Sequence, residues 1–515
     1  MVLIYHDGAN VVEWANADAF AVAKFKKDSI AESLMVLAKE YPEEILVWCH
    51  QSCKEQLDVP EIDNLMHHKK MMLSYNPSDD SFLDSRIGYI DTSLFASINK
   101  DVSFSTWQMS AAVGCIHSEV LLALKKAIPF DADFDYFLCS LAKLSMPKGL
   151  LCYSEPRLLK KGTKPVPVKT NSHTLFRFVK QHYKTHWVFL LLLNLFLYER
   201  KLPILPFVFS FFYKNRSETN INLDAIKVQS SKKVVDKMTV DVIIPTIGRK
   251  NYLYDVLKDF SRQTLLPNKI IIVEQNPEAG SVSELDYIQN EEWPFEIQHL
   301  FIHQVGACNA RNLALNQTQS EWVFLADDDN RFGATLLSDI FEKIKQYGNT
   351  VVTTSYRQKG ESKKYAKVIQ WPTFGAGNSF VCRNLLEKVR FNPAFEFGYG
   401  EDGDFGMQLR HQGQDILYLP EPEILHLKAP VGGFRTKPTL QWQKDDIQPK
   451  PSPTIMLYQL LHATPAQTNS YKTTLFFKYY RLQKIKNLVK YYIHFQKQWE
   501  RSVFWVKELR NQKEV

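Results

Sequence analysis

Hydrophobic and polar positions divide the chain into four stretches of different period. Residues 1–165 alternate short apolar runs ("VLIY", "EILVWCH") with a helical pattern ("SIAESLMVLAKEY"), which predicts an α/β domain. Residues 166–238 hold an aromatic and aliphatic stretch, "HWVFLLLLNLFLYERKLPILPFVFSFFYK", followed by a polar linker. Residues 239–435 return to α/β patterning. In "DVIIPTIGRKNYLYDVLKDFSRQTLLPNKIIIVEQNP", Leu253, Val256, Leu257 and Phe260 repeat at helical spacing between two apolar runs. A strand–helix–strand unit of this length implies parallel strands with a right-handed crossover. Residues 436–515 open on a Pro-rich loop and continue as a basic-aromatic helical tail.

The apolar stretch does not read as a membrane span. Trp187 to Tyr198 would be roughly 18 Å long as a helix, against a hydrocarbon core of about 30 Å. Glu199, Arg200 and Lys201 follow it, and Pro203 and Pro206 interrupt what comes next. A buried or interfacial helix is the expectation.

Composition adds little about fold, but charge and cysteine usage narrow the setting. The net charge is +7, and Thr436–Val515 alone carries 14 Lys and Arg against 5 Asp and Glu, so the rest of the chain is slightly acidic. A basic tail points to an anionic neighbour. No nucleic-acid reader motif is present, so nucleic acid is not expected as a partner. The basic-aromatic tail can lie on an anionic membrane, or it can pack its aromatics on the protein and solvate its bases. Seven cysteines, with Cys49 and Cys53 lacking a second ligand pair, give neither a disulfide framework nor a zinc site. The start, "MVLIYHDGAN", shows no signal-peptide pattern. A cytoplasmic protein, with peripheral contact at the inner face of the cell membrane, is expected.

The chemistry concentrates between Val240 and Arg435. Parallel sheets bind ligands beyond the carboxyl ends of their strands, where Pro245, Thr246, Arg249 and Glu274 fall. Thr246 and Arg249 could equally do no more than begin a helix. Arg311 stands near the start of the next predicted helix. The strand Trp322–Ala326 then delivers Asp327, Asp328 and Asp329. Neighbouring acids repel and lose solvation at a strand end. Such runs are often turns or caps, but a hard divalent cation, Mg²⁺ or Mn²⁺, would relieve the repulsion and share its shell with substrate phosphates. In "GYGEDGDFGMQLRHQG", Gly398, Gly400 and Gly403 surround Glu401, Asp402 and Asp404, and His426 follows the next strand. The glycines let backbone approach a ligand closely. Trp371, Gly400 and Asp404 are candidates for the acceptor side.

These motifs, "IIPTIGR", "IIIVEQ", "ARN", "ADDDN", "GYGEDGDF" and "H…GGFR", resemble in sequence and order a family 2 glycosyltransferase of the GT-A fold. The resemblance covers about two fifths of the chain. It implies a Rossmann-like, mostly parallel α/β catalytic domain that moves a sugar from a nucleotide-diphosphate donor to a hydroxyl of a glycan or lipid-linked acceptor. It assigns Pro245, Thr246, Arg249, Glu274 and Arg311 to the donor. Asp327 or Asp328 would face the ribose, and Asp329 and His426 would bind Mn²⁺ or Mg²⁺. Asp402 would be the base, with Glu401 beside it. Glu274 departs from the more usual Asp at that strand end. Inverting, non-processive transfer in surface-polysaccharide or glycolipid synthesis is implied, since neither clear spans nor a QxxRW-like motif appears.

The first domain reads as a faded copy of the second. "VLIYHD…EILVWCHQ" parallels "DVIIPT…KIIIVEQ", and "FDADFDYFLCSLAKL" parallels "FEFGYGEDGDFGMQL". The acidic triplet is missing, and Asp133 and Asp135 are the nearest remnant of the Glu–Asp pair. Generic α/β similarity is the plainer alternative. Two rival readings of the whole are a sugar-nucleotide nucleotidyltransferase and a non-catalytic carbohydrate-binding or assembly protein. The first would want a Gly-rich basic loop after the strand at Val240, where only "PTIGRK" stands.

Overall fold

Strand-forming runs assemble into two sheets, one in each of two units of the computed structural model. It describes residues 1–16, 29–78, 81–93, 100–162, 171–217, 219–430 and 438–511. One unit is Met1–Lys232 with Ala463–Leu475; the other is Lys233–His462 with Phe476–Val515.

The first unit holds β1 (Val2–His6), β2 (Val11–Asn16), β3 (Ile45–His50), β4 (Met71–Tyr75), β5 (Phe104–Ser105), β6 (Val113–His117) and β7 (Leu151–Ser154). They run in the order β2-β1-β3-β6-β4-β7-β5. β1 and β3 are parallel, as are β4 and β7; the other pairs are antiparallel. The helices are α1 (Ile30–Glu40), α2 (Val59–Leu65), α3 (Ser118–Leu124), α4 (Phe134–Ser145), α5 (Ser172–His182), α6 (His186–Glu199) and α7 (Ile204–Ser210). α1 begins where a capping box allows it: Glu32 N–H donates to Ser29 Oγ, and Ser29 N–H donates to the Glu32 carboxylate.

The second unit holds β8 (Val240–Thr246), β9 (Lys269–Gln275), β10 (Glu296–Ile302), β11 (Trp322–Ala326), β12 (Asn330–Arg331), β13 (Val351–Arg357), β14 (Ile369–Gln370), β15 (Asn378–Cys382) and β16 (Leu417–His426). Its helices are α8 (Lys250–Ser261), α9 (Tyr287–Asn290), α10 (Ala307–Leu315), α11 (Leu336–Tyr347) and α12 (Glu401–His411), followed by Pro453–His462 and Leu488–Asn511. The sheet order is β10-β9-β8-β11-β15-β13-β16-β12, with β14 on β16. This is the α/β, GT-A-type arrangement. Its parallel block is β10-β9-β8-β11; β15 reverses direction, and β13 and β16 are parallel again. β11 is buried along its whole length, as its unbroken apolar run requires of a strand covered on both faces. The carboxyl ends of β8 and β11 therefore emerge side by side from the core, where ligands of such sheets bind.

Two expectations change. Residues 166–238 are not a separate segment: α6 buries Val188, Leu191 and Leu195 in the first unit's core, and Asn194 accepts a hydrogen bond from Thr473 at 2.8 Å. The helical tail is divided between the two units, since Ala463–Leu475 belongs to the first and the rest of it to the second. Strand pairing also corrects the internal alignment. In the run β1-β3-β6-β4-β7 the senses are parallel, antiparallel, antiparallel, parallel, as they are in β8-β11-β15-β13-β16. The run Ile45–His50 therefore holds the position of β11, not of β9. Hydropathy alone does not encode which neighbour a strand takes.

Candidate active site

The end of β11 forms one wall of a cleft of about 370 Å³, lined among others by Pro245, Thr246, Arg249, Gln275, Arg311, Asp327, Asp328, Asp329, Glu401 and His426. Two arginines and a histidine divide the three aspartates among them. Arg311 Nη2 donates to Asp327 at 3.1 Å, and Tyr356 Oη donates to its other oxygen at 3.0 Å. Asp328 accepts from Thr246 Oγ1 at 2.7 Å and from Arg249 Nη1 at 2.6 Å. Asp329 accepts from Ala429 N–H at 2.8 Å, lies 3.4 Å from Arg249, and has His426 Nε2 3.5 Å away. The repulsion in the triplet is thus largely met by Arg311 and Arg249. Asp329 Oδ1 is enclosed and makes no hydrogen bond, with the His426 ring at 3.5 Å as its facing group.

Burial and charge set the ionisation of these groups. Burial pushes Asp328 up to about 7, although Arg249 and Thr246 pull it back. Burial also opposes ionisation of Asp329, yet His426 and Ala429 N–H leave it below the usual carboxylate range. Burial works against a charged His426, but Asp329 raises it above an ordinary imidazole. Its ring is held flat against Tyr356, with centroids 4.5 Å apart. The loop beyond the triplet is fixed as well. Asn330 Nδ2 donates to Gly377 O at 2.9 Å, and Arg331 forms a two-pronged pair with Asp259 at 2.6 and 3.0 Å.

The second acidic element starts α12. Gly400 sits in the left-handed region at φ 116°, and a Cβ there would lie 2.9 Å from the Phe395 ring. This turn places Glu401 on the cleft and Asp402 behind it. Asp402 Oδ2 accepts from Ala376 N–H at 3.2 Å, and its other oxygen is enclosed without a partner. Burial raises Asp402, with Arg311 opposing; burial and then the neighbouring Asp402 charge push Glu401 to about 7. A carboxylate raised toward neutrality beside a buried arginine is suited to taking a proton.

Three candidates lie elsewhere. Glu274 does not line the cleft: its carboxylate is engaged by His299 Nε2 at 2.9 Å and Glu284 N–H at 3.1 Å. Asp404 does not line the cleft: its buried carboxylate accepts from His462 Nε2 and Gln408 Nε2, each at 2.8 Å. Trp371 lines a neighbouring cavity of about 530 Å³ with Tyr365, Tyr418 and Tyr356, stacked on Tyr418 at 4.7 Å. The "GGFR" at 432–435 lies outside the described residues.

Several residues were not singled out in the sequence. Gln275 Oε1 accepts from Gly306 N–H at 2.6 Å, and Glu396 caps α10 by accepting from Cys308 and Asn309 N–H at 3.1 and 3.0 Å. A Cβ at Gly377 would lie 2.1 Å from Asp327 Oδ2, so a side chain there would displace that carboxylate. The "FGAGN" run, with two glycines immediately before a strand, was the available signal.

Whether this site suits a hard cation can be judged from its donors. Among the described residues no three His, Cys, Asp or Glu side chains converge on one point. Asp329 and His426 could supply two ligands, with His426 Nε2 3.5 Å from an Asp329 oxygen that makes no hydrogen bond. That fits a cation completing its shell with phosphate oxygens and water, as Mg²⁺ and Mn²⁺ do.

Residues 241–399 match the Glycosyl transferase family 2. The matched stretch lies wholly within the second unit. It runs from β8 through the triplet to the turn before α12. The chain is 24% identical over 185 residues to the GalNAc(5)-diNAcBac-PP-undecaprenol beta-1,3-glucosyltransferase of Campylobacter jejuni, covering 33% of this chain and 59% of that protein. It is 23% identical over 159 residues to the cholesterol galactosyltransferase of Borreliella burgdorferi, covering 30% and 44%. The chain thus spans about half the length of these two relatives. Among solved structures, S. aureus TarS 1-349 in complex with UDP-GlcNAc aligns at 14% identity and TM-score 0.36, covering 51% of this chain and 79% of that one.

Proposed function

We propose that the second unit transfers a sugar from a nucleotide-diphosphate donor to a hydroxyl of a glycan or lipid-linked acceptor, in one displacement with inversion. The observation that carries this reading is the meeting of Asp327–Asp329, Arg249 and Arg311 with the Glu401–Asp402 turn around one cleft. In this reading Pro245, Thr246, Arg249, Arg311, Asp327 and Asp328 hold the nucleotide, with Glu274 supporting that strand end through His299. Asp402 takes the acceptor proton as the hydroxyl oxygen bonds to the anomeric carbon, and the diphosphate leaves with the electron pair of the broken bond. Asp329 and His426 would hold Mn²⁺ or Mg²⁺, which when bound supplies charge neutralisation to the leaving diphosphate. The relatives' names, one for an undecaprenol-linked glycan and one for cholesterol, support a lipid-linked acceptor and a surface-glycan or glycolipid pathway.

The first unit, in the same proposal, is a GT-A-like copy without catalysis, serving as scaffold or acceptor holder. Its matching strand senses support the copy, and the absence of an acidic triplet after β3 supports the loss. Thermal stabilisation by UDP-, GDP- and dTDP-sugars with Mn²⁺ tests the reading, because a ligand bound only by the folded state raises its stability by mass action. At least one donor class should stabilise the protein, and Asp329→Asn should remove the Mn²⁺-dependent part. No stabilisation by any donor, together with no donor hydrolysis, would instead favour a non-catalytic protein.

A further inference from the structure

The strongest unexplained surface is the α6–α7 hairpin of the first unit. α6 buries one stripe and leaves Phe189 54% exposed. From Leu202 to Tyr213 the chain has no charged residue, and of those positions only Ser210 is buried. Leu205, Phe209 and Phe212 are 67%, 51% and 79% exposed. The patch is continuous: Phe189 meets Phe207 and Phe211 at centroid distances of 5.3 and 5.7 Å, and Phe209 meets Phe212 at 6.1 Å. Isolated exposed apolar residues need no explanation, but a contiguous run of this kind marks an interaction surface.

Its chemistry selects the partner. Exposed Arg200 and Lys201 precede the run and exposed Lys214 follows it, with no acidic residue from Arg200 to Arg216. The acid immediately before, Glu199, is half-buried and paired with Lys201 at 3.1 Å. Within the run Ser210 spends its hydroxyl on Phe207 O at 2.6 Å, so the patch offers almost no hydrogen-bonding groups to a protein partner. An apolar, aromatic tip bracketed by cations matches the layered chemistry of a bilayer surface, with acyl chains under anionic headgroups. Among the described residues no helix is long and apolar enough to cross a membrane.

We infer that α7 and the turns on either side of it insert into the interface of an anionic membrane, with Leu205, Phe209 and Phe212 entering the acyl boundary and Arg200, Lys201 and Lys214 at headgroup level. This surface is independent of the chemistry of the cleft. The test is co-sedimentation of the full-length protein with phosphatidylcholine vesicles, with and without about a quarter of phosphatidylglycerol. Wild type should sediment with the anionic vesicles. Leu205→Ser/Phe212→Ser should weaken that binding about tenfold or more, and Lys201→Glu/Lys214→Glu should reduce it to the level seen on neutral vesicles. All these side chains face water already, so thermal midpoints should stay at the wild-type value and loss of binding cannot be ascribed to unfolding. Failure of wild type to bind either vesicle would overturn the inference, as would unchanged binding by Leu205→Ser/Phe212→Ser. It would also be overturned by a lipid-free dimer that Phe212→Ser dissociates, because the patch would then be covered by a second copy of the chain.

Discussion

Both units close a central strand against an antiparallel neighbour and bring a helix N-terminus to the junction. In the first unit Ala111 N–H donates to Asp135 in α4 at 2.7 Å; in the second Ala376 N–H donates to Asp402 in α12 at 3.2 Å. Each alanine stands two residues before its strand, β6 or β15. Counting along the paired strands from that shared bond sets His50, Gln51 and Ser52 opposite Asp327, Asp328 and Asp329. At the neighbouring strand His6, whose ring lies 5.5 Å from that of His50, takes the place of Pro245. The frame survives in both units, while the arginine-paired acids occur in one. The carboxylate at the helix N-terminus is common to both frames, and the residues that face it are what differ.

The most severe way to break the comparison is to give the second unit the first unit's residues. Asp327→His/Asp328→Gln/Asp329→Ser should abolish donor-induced thermal stabilisation. It should also cost about 3 kcal/mol or more of stability, because the Arg249–Asp328 and Arg311–Asp327 pairs are broken from one side. Denaturant unfolding measures the second effect, and retained donor stabilisation would refute the assignment of the triplet. Next in size is Asp402→Asn, which keeps an oxygen for Ala376 N–H and removes the base. Turnover should fall about 10²- to 10⁴-fold with donor stabilisation preserved. A wild-type turnover would shift the role to Glu401 or dismiss it.

A subtler exchange is Gly377→Ala, which installs what the first unit has at Ala112. The new Cβ would fall 2.1 Å from Asp327 Oδ2, so the carboxylate must leave Arg311 or the strand must shift. A loss of about 1–3 kcal/mol and roughly tenfold lower activity are expected. Equal activity would mean that Asp327 tolerates displacement.

Which parts of this were legible in the sequence follows from what each feature needs. β11 announced itself because it is buried on both faces and therefore uninterrupted, and three adjacent acids after such a run repel unless something cationic meets them. Gly400 was legible because only a turn approaching Glu401 needs its backbone. Tyr356, Asn330 and Glu396 were not, since a polar residue in a strand or loop acquires meaning only when a distant segment arrives beside it. The register of the first unit was hidden for a related reason. Two apolar runs of similar length look alike, and the place beside the first strand that the parallel β9 takes in the second sheet is held by the antiparallel β2 in the first. Arg249 and Arg311 were found as candidates, but their division of labour between Asp328 and Asp327 is a matter of three-dimensional pairing.

The smallest expected effect concerns Asp135, the first unit's counterpart of Asp402. Burial pushes its carboxyl up to about 7, partly offset by Ala111 N–H, and among the described residues no arginine lowers it as Arg311 lowers Asp402. A folded value above the unfolded one means that the folded chain holds the proton more tightly. Stability from this group is therefore complete below about pH 4 and is lost as pH rises toward 7. Asp135→Asn keeps an acceptor oxygen for Ala111 N–H and has no charge to bury, so it should gain on wild type across that window. The side chain is only half-buried, so the relative gain between pH 5 and pH 8 should be about 1 kcal/mol, read as diverging unfolding midpoints. Parallel pH profiles for the two proteins would mean that Asp135 ionises as freely as a surface acid, and the contrast between an arginine-faced and an unfaced carboxylate would not hold.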